Sequence, residues 1–310
     1  MTIRVYYSTD SGAPVYSASV GALLAVLKAC LVDGYGSKVA AGWTQPFTGT
    51  NLAVFRPSAG NRHYLWVDDT NASATRVRGF TEMSGVSTGT GGFPLDGQVN
   101  GGCYVLKSNA TTEPRGWVLV ADEKRFWFIS AFGSSTIEGS TSRGIGMFYG
   151  DIISAKAGDA YGTLLIAGET NGSTGSHIGS LATSLSTAVP GGFLARSYTQ
   201  AGGSVVAGRC TDSAKSPGVT IGVAGTPYPD PVTGGILIAP LFVYEPVAQV
   251  VRGVVPGGWC PLHNLPGSPG DTFQGAGALA GKEFLLVDTG GIGGTSGRGR
   301  MALEISNTWE

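Results

Sequence analysis

The sequence predicts an α+β fold, predominantly β, with antiparallel sheets and one prominent N-terminal helix at about residues 18–33. Three observations predict it. Short runs of β-branched and aromatic residues recur along most of the chain, punctuated by Gly, Pro, Asn and Asp. Glycine accounts for 51 of 310 residues without a Gly-X-Y period, which excludes collagen and suits many tight turns. Only "SASVGALLAVLKACLVDGYG" repeats its apolar residues at helical spacing.

The elements follow in order. Residues 3–8 alternate like a strand. In the helix, Val20, Leu23, Leu24, Leu27 and Leu31 make one apolar face, with Ser17 or Ser19 as N-cap and Gly34 as an αL C-cap. Four strand-like runs follow: "AGWTQPFT", "NLAVFRP", "HYLWVDDT" and "TRVRGFTEM". In the last, Val77 and Phe80 are apolar, while Arg76 and Arg78 share the other face. "GVSTGTGGFP" is expected to be a glycine-rich loop. "GGCYVLKS", "GWVLVADEKRFWFISAF", "IGMFYGDII" and "GDAYGTLLIAG" continue the β pattern, the second as a hairpin turning at Asp122–Lys124 with Phe126 and Phe128 on one face. Residues 169–190 shift towards Ser, Thr and Gly and read as a linker or long loop, with a short helix at "SLATSLST" as a variant of that reading. They divide an N-terminal α+β lobe, 1–168, from a β-rich C-terminal lobe, 191–310; one mixed domain is the alternative. The C-terminal runs are "GGFLARSYTQ", "GSVVAGRC", "GILIAPLFVYEP", "VVRGVVPGGW", "KEFLLVDTG" and "RMALEISN".

Charge narrows the function classes. Charged residues make up 13%, about half the usual share, and the net charge is −1. No basic field points to nucleic acid, and no polybasic run points to anionic lipid. The longest apolar stretch, near residues 20–32, is too short to span a bilayer, and no signal-peptide pattern opens the chain. Four dispersed cysteines suit a reduced place of synthesis better than a disulfide framework.

Several residues invite a chemical reading. Cys260 and His263, in "GGWCPLHN", have half of a zinc-site spacing, with Cys210 the least implausible third ligand. His63 and His177 are single, so a loop packed beside Trp259 is the expected state and no metal or other cofactor is expected. "DTGGIGGTSGRGR", residues 288–300, echoes a dinucleotide fingerprint but leads into a strand where that motif needs a helix. Asp68–Asp69 sit at a strand end, and neighbouring strand residues point to opposite faces, so a turn is expected rather than a shared cation. Asp151 and Asp159 follow glycines in expected turns. Glu82 and Glu138 are the candidate carboxylates for a glycosidase, with nothing to pair them. No Gly-x-Ser-x-Gly elbow lies between a strand and a helix. No catalytic residue and no enzymatic activity are expected.

Several long strings carry a resemblance. "DGYGSKVAAGWTQPFTGTNLAVFR", "YLWVDDT", "ATRVRGFTEMSGVSTGTGGFP", "GWVLVADEKRFWF", "FYGDIISAKAGDAY", "RGVVPGGWCPLHN" and "GDTFQG" together resemble a group of tailed-bacteriophage virion structural proteins. The resemblance runs from the first strand to "LEISNTW". It implies a non-enzymatic particle component, made in the bacterial cytoplasm and residing in the virion. A neck, collar or tail accessory role is expected first, capsid decoration second, host-glycan binding third and a zinc-dependent or glycan-cleaving hydrolase last. The expected partners are copies of itself and portal, connector, tail or capsid subunits, with no nucleic acid bound directly and no membrane insertion. Trp259, Phe93 and Trp309 are the expected interface residues. Loops 84–94, 169–190 and 289–299 are expected to order only in the assembly.

Overall fold

Phe126 and Phe128 belong to one buried cluster, while Trp127 and Ile129, between and after them, belong to another. A strand buried on both faces must lie in a middle layer. The computed structural model, which describes residues 2–98, 101–107, 112–139, 145–167, 192–203, 205–207, 228–262, 267–290, 299–306 and 308–309, places it there.

The first strands are β1 (Arg4–Tyr7), β2 (Thr44–Gly49), β3 (Leu52–Arg56), β4 (Tyr64–Asp68), β5 (Ala74–Gly85), β6 (Thr88–Phe93) and β7 (Cys103–Leu106). Next come β8 (Trp117–Ala121), β9 (Arg125–Ser130), β10 (Ile145–Asp151), β11 (Ile153–Ser154), β12 (Thr163–Ile166), β13 (Gly192–Leu194) and β14 (Val205–Ala207). The last are β15 (Ile238–Glu245), β16 (Val250–Pro261), β17 (Thr272–Gln274), β18 (Glu283–Gly290) and β19 (Gly299–Glu304). The central sheet runs β1-β8-β9-β10-β12-β13-β14. An outer sheet runs β2-β3-β4-β5-β6, with β7 also on β5. A C-terminal sheet runs β11-β16-β19-β18-β17, with β15 also on β16. All registers are antiparallel, so the chain is the predominantly β α+β protein that its patterning predicts. Strands on both sides of residues 169–190 share the central sheet; those residues lie outside the described ones.

The hairpin turns at Asp122–Lys124 as predicted. The predicted loop at 84–94 is instead largely β6, which pairs with β5. Glycines hid it, because they carry no apolar alternation for a sequence pattern to report. Phe80 also differs from expectation. It shares the outward face with Arg76 and Arg78, and the Arg78 guanidinium lies 4.8 Å from its ring centre.

The helix is shorter than its periodicity suggests. It forms as α1, Ala22–Lys28, and widens into a π-turn over Ala29–Asp33. Leu23, Val26, Leu27, Cys30 and Leu31 pack between the central and outer sheets, whereas Val20 precedes the helix and is exposed. The Gly34 N–H bonds the Ala29 carbonyl at 2.8 Å, and Gly34 takes a positive φ of 82° but not the αL ψ. Neither Ser17 nor Ser19 caps the helix; their hydroxyls pair with each other at 2.8 Å. The cap comes from far along the chain. Asp69 accepts the Leu24 N–H at 3.1 Å, and its carbonyl accepts the Gly21 N–H at 3.0 Å. Asp69 is itself buried against Lys107, whose Nζ lies 2.5 Å from Oδ1 and also donates to the Ser19 and Asn71 carbonyls at 2.6 and 2.9 Å. Thr75 donates to the same carboxylate. Helix start, β4 end and β7 end thus meet at one buried charge pair.

Removing one partner from such a pair leaves an uncompensated buried charge. Asp69→Ala is expected to lower unfolding stability by about 3–5 kcal/mol in urea titrations, and Ser19→Ala by less than about 1 kcal/mol. Equal losses would contradict the assignment of Asp69 as the cap.

Candidate functional site

The segment 151–163 touches all three sheets. Asp151 ends β10, and its Oδ1 accepts the Thr163 hydroxyl at 2.6 Å. Its Oδ2 accepts the backbone N–H of Asn61, from the β3–β4 turn of the outer sheet, at 2.7 Å. Asn61 Nδ2 also donates to the Asp159 carbonyl at 3.0 Å. Only glycine fits at position 60, where φ is +73° and a Cβ would lie 2.1 Å from Asp151 Oδ2. Burial pushes the Asp151 pKa above the usual carboxylate range, against the hydrogen bonds from Thr163 and Asn61.

Asp159 faces the other way, into the C-terminal sheet. The Arg252 guanidinium grips it with Nε–Oδ2 and Nη2–Oδ1 distances of 2.6 Å each. Ser154 Oγ donates to Oδ2 at 2.7 Å. Burial alone would raise the Asp159 pKa; the Arg252 hydrogen bonds and charge outweigh it and hold the group below its usual value. The remaining arm of Arg252 pairs with buried Glu245.

Asp151 and Asp159 border one cleft of about 420 Å³ with Asn61, Lys124, Ser154 and Lys156. Two carboxylates in a cleft with pKa values pushed apart make the general pattern of an acid–base pair. Here the oxygens of both are occupied by the chain's own donors, and the donors come from different sheets. The arrangement fastens layers together. The sequence placed both residues in turns but held no sign that Asn61 and Arg252 reach them from 90 and 93 residues away.

The metal candidates separate. The run "VVRGVVPGGW" is a strand as expected, and β16 continues through Cys260 and Pro261, which the sequence assigns to a turn; Cys260 pairs with Ala239 and is buried in the core between the central and C-terminal sheets. His263 lies outside the described residues, as do His177 and Cys210. Among the described residues no group of three or more His, Cys, Asp or Glu is placed to hold a metal ion. The glycines of "GGWC" serve packing instead. Gly257 has φ +74°, and a Cβ there would lie 2.6 Å from the Trp309 indole. Trp127 Nε1 donates to the Pro256 carbonyl beside it at 2.7 Å.

The expected interface residues sit mostly inside. Phe93 is buried between the outer and central sheets, and Trp309 is buried on β16 with its Nε1 donating to the Glu304 carbonyl at 2.9 Å. Both rings are used by the chain's own core. Trp259 is half-buried; its Nε1 donates to Glu304 Oε2 at 3.0 Å and its ring meets Phe284 edge-on at 5.8 Å. Asp68 makes the expected turn, accepting the Thr70 N–H and hydroxyl at 3.1 and 2.6 Å. Glu82 lies on β5, while Glu138 borders a separate cavity of about 310 Å³ with Tyr7, Thr136 and Thr272, so the two do not form a pair. Of the glycine-rich run at 288–300, residues 291–298 lie outside the described residues; its two ends lie on antiparallel strands, with Gly290 opposite Gly299.

A surface feature escaped the sequence reading. Ile153 pairs with Val254, Val254 with Phe242, and Tyr244 with Val251. A register shift between Val243 and Tyr244 keeps Val251 and Val254 on the same outward face. Ile153 and Val251 are 41% and 48% exposed, and Val247 at the hairpin tip is 95% exposed. The cross-strand row carries no charge. Its members lie in separate strings, one before and two after residues 169–190, so only the sheet register joins them.

No family model matches the chain, and no curated protein matches its sequence.

Arg252→Met strands two buried carboxylates and is expected to cost about 3–5 kcal/mol of unfolding stability. A loss below about 1 kcal/mol in urea titrations would contradict the fastening role. Iodoacetamide should alkylate Cys260 only under denaturant, as read by peptide mass spectrometry; rapid labelling of the native chain would contradict its place in the core.

Proposed function

We propose that the chain is a non-enzymatic structural subunit of a tailed-phage virion, a neck, collar or tail accessory protein that assembles with copies of itself and with other particle proteins. The observation that carries this reading is the uncharged apolar face across β11, β16 and β15. Contiguous apolar surface on a folded chain marks a contact site, and a row of Ile, Val, Phe and Tyr without charge suits burial against another such surface. A standard interface removes about 1,200–2,000 Å² from water. The low overall charge and the resemblance of the long strings to virion proteins support the same reading. So does the employment of Asp69, Asp151, Asp159 and Glu245 in holding the layers together. Closed cyclic symmetry is the natural way to repeat one contact around a tail axis.

Ile153→Lys combined with Val251→Lys places charge on the exposed face without touching the core. The double variant is expected to keep its circular dichroism spectrum and melting point. It should sediment as a smaller species than the wild type and fail to enter particles. Normal incorporation of the variant would sink the proposal for this face.

A further inference from the structure

His63 sits at the seam between the outer sheet and segment 151–163. It precedes β4 and is only 7% exposed. Its ring stacks on Tyr161 at 5.8 Å and 27°, and meets Phe93 edge-on at 6.2 Å. Its Nδ1 is enclosed and has no hydrogen-bond partner. The charged groups acting on it are both cations, Arg56 from β3 and Arg196 from the segment after β13. Arg196 lies 4.3 Å from the Tyr161 ring centre, and Arg56 lies 4.6 Å from that of Tyr64, so both guanidinium groups are seated on aromatic faces. The other titratable groups of the seam, Asp151 and Asp159, are held by Asn61, Thr163, Ser154 and Arg252. A neutral imidazole fits this place. An imidazolium would be desolvated beside two positive charges.

We propose that His63 makes the seam acid-labile: protonation of its imidazole undocks the β3–β4 turn from segment 151–163, while the central sheet keeps its core. Burial, then Arg196 and Arg56, hold the His63 pKa down to about 4, from 6.5 for a free histidine. The undocked state therefore binds the proton first. Docking is at full strength above 6.5 and weakens as pH falls towards 4. Within that window the ratio of undocked to docked seam rises by up to about tenfold per pH unit. Asp151 works in the opposite sense, because its raised pKa favours proton uptake by the docked state. Asp159, held below 3.8, titrates beneath the window.

Amide hydrogen exchange, corrected for the intrinsic rate, tests this at about pH 7 and about pH 4.5. Peptides covering 60–66 and 159–163 are expected to lose protection at the lower pH while peptides covering 117–130 keep it. His63→Phe, which preserves the ring stack and cannot take a proton, should hold protection at both. Protection that persists in the wild type at the lower pH would overturn the proposal. So would loss in His63→Phe at the same pH as the wild type. If that variant does not fold, the imidazole C–H resonances of the wild type decide. A folded-state midpoint well below 6.5 supports the seam as described, and one at or above 6.5 overturns it.

Discussion

The grip of Arg252 on Asp159 is the contact on which the layered architecture turns. A sheet buried on both faces can be covered by hydrophobic packing alone, but packing does not fix how the covering layers are oriented. The guanidinium fork does, because its two parallel bonds to a carboxylate admit one geometry. Ser154 and Glu245 complete the set, and β11 pairs with β16 through Ile153 and Ser154 beside it. On the opposite side of the same short segment, Asp151 and Asn61 secure the outer sheet. Segment 151–163 is thus shared by three sheets. Its polar groups are satisfied from all of them, which is what makes a buried polar network rigid rather than costly.

The parts of the fold legible in the sequence are those set by local periodicity. The alternation in β9 and the Asp122–Lys124 turn follow from residues within a few positions of one another. The helix is legible in existence but not in its start, because its cap is Asp69, 45 residues beyond Leu24. β6 was hidden by its glycines, and the last two residues of β16, Cys260 and Pro261, read as a turn beside the glycines of "GGWC". Gly257 and Gly258 there answer to Trp309 and Trp127, which arrive from distant strands. Most of the candidate site is of this second kind. Asp151 and Asp159 look like ordinary turn residues until the fold brings Asn61 and Arg252 to them. Phe93 and Trp309 look like surface anchors until the same packing buries them.

The surface tells a complementary story. The interior uses Asp69, Asp159 and Glu245 in ion pairs and its aromatic rings as packing, whereas the β15–β16 hairpin and β11 present an apolar row to the outside. That row lies on the C-terminal sheet, on the face directed away from the central sheet, with Leu241, Val243 and Val255 filling the other face. A residue pattern that is apolar on both sides of a sheet at the edge of a molecule asks for a further layer. In the proposed virion role, that layer is a neighbouring subunit.

Counting copies of the chain in purified phage particles, by quantitative mass spectrometry against the major capsid protein, tests this role most directly. A ring around the neck or tail axis predicts roughly six or twelve copies per particle. Absence from the particle would contradict the structural role altogether, and hundreds of copies would contradict the axial position.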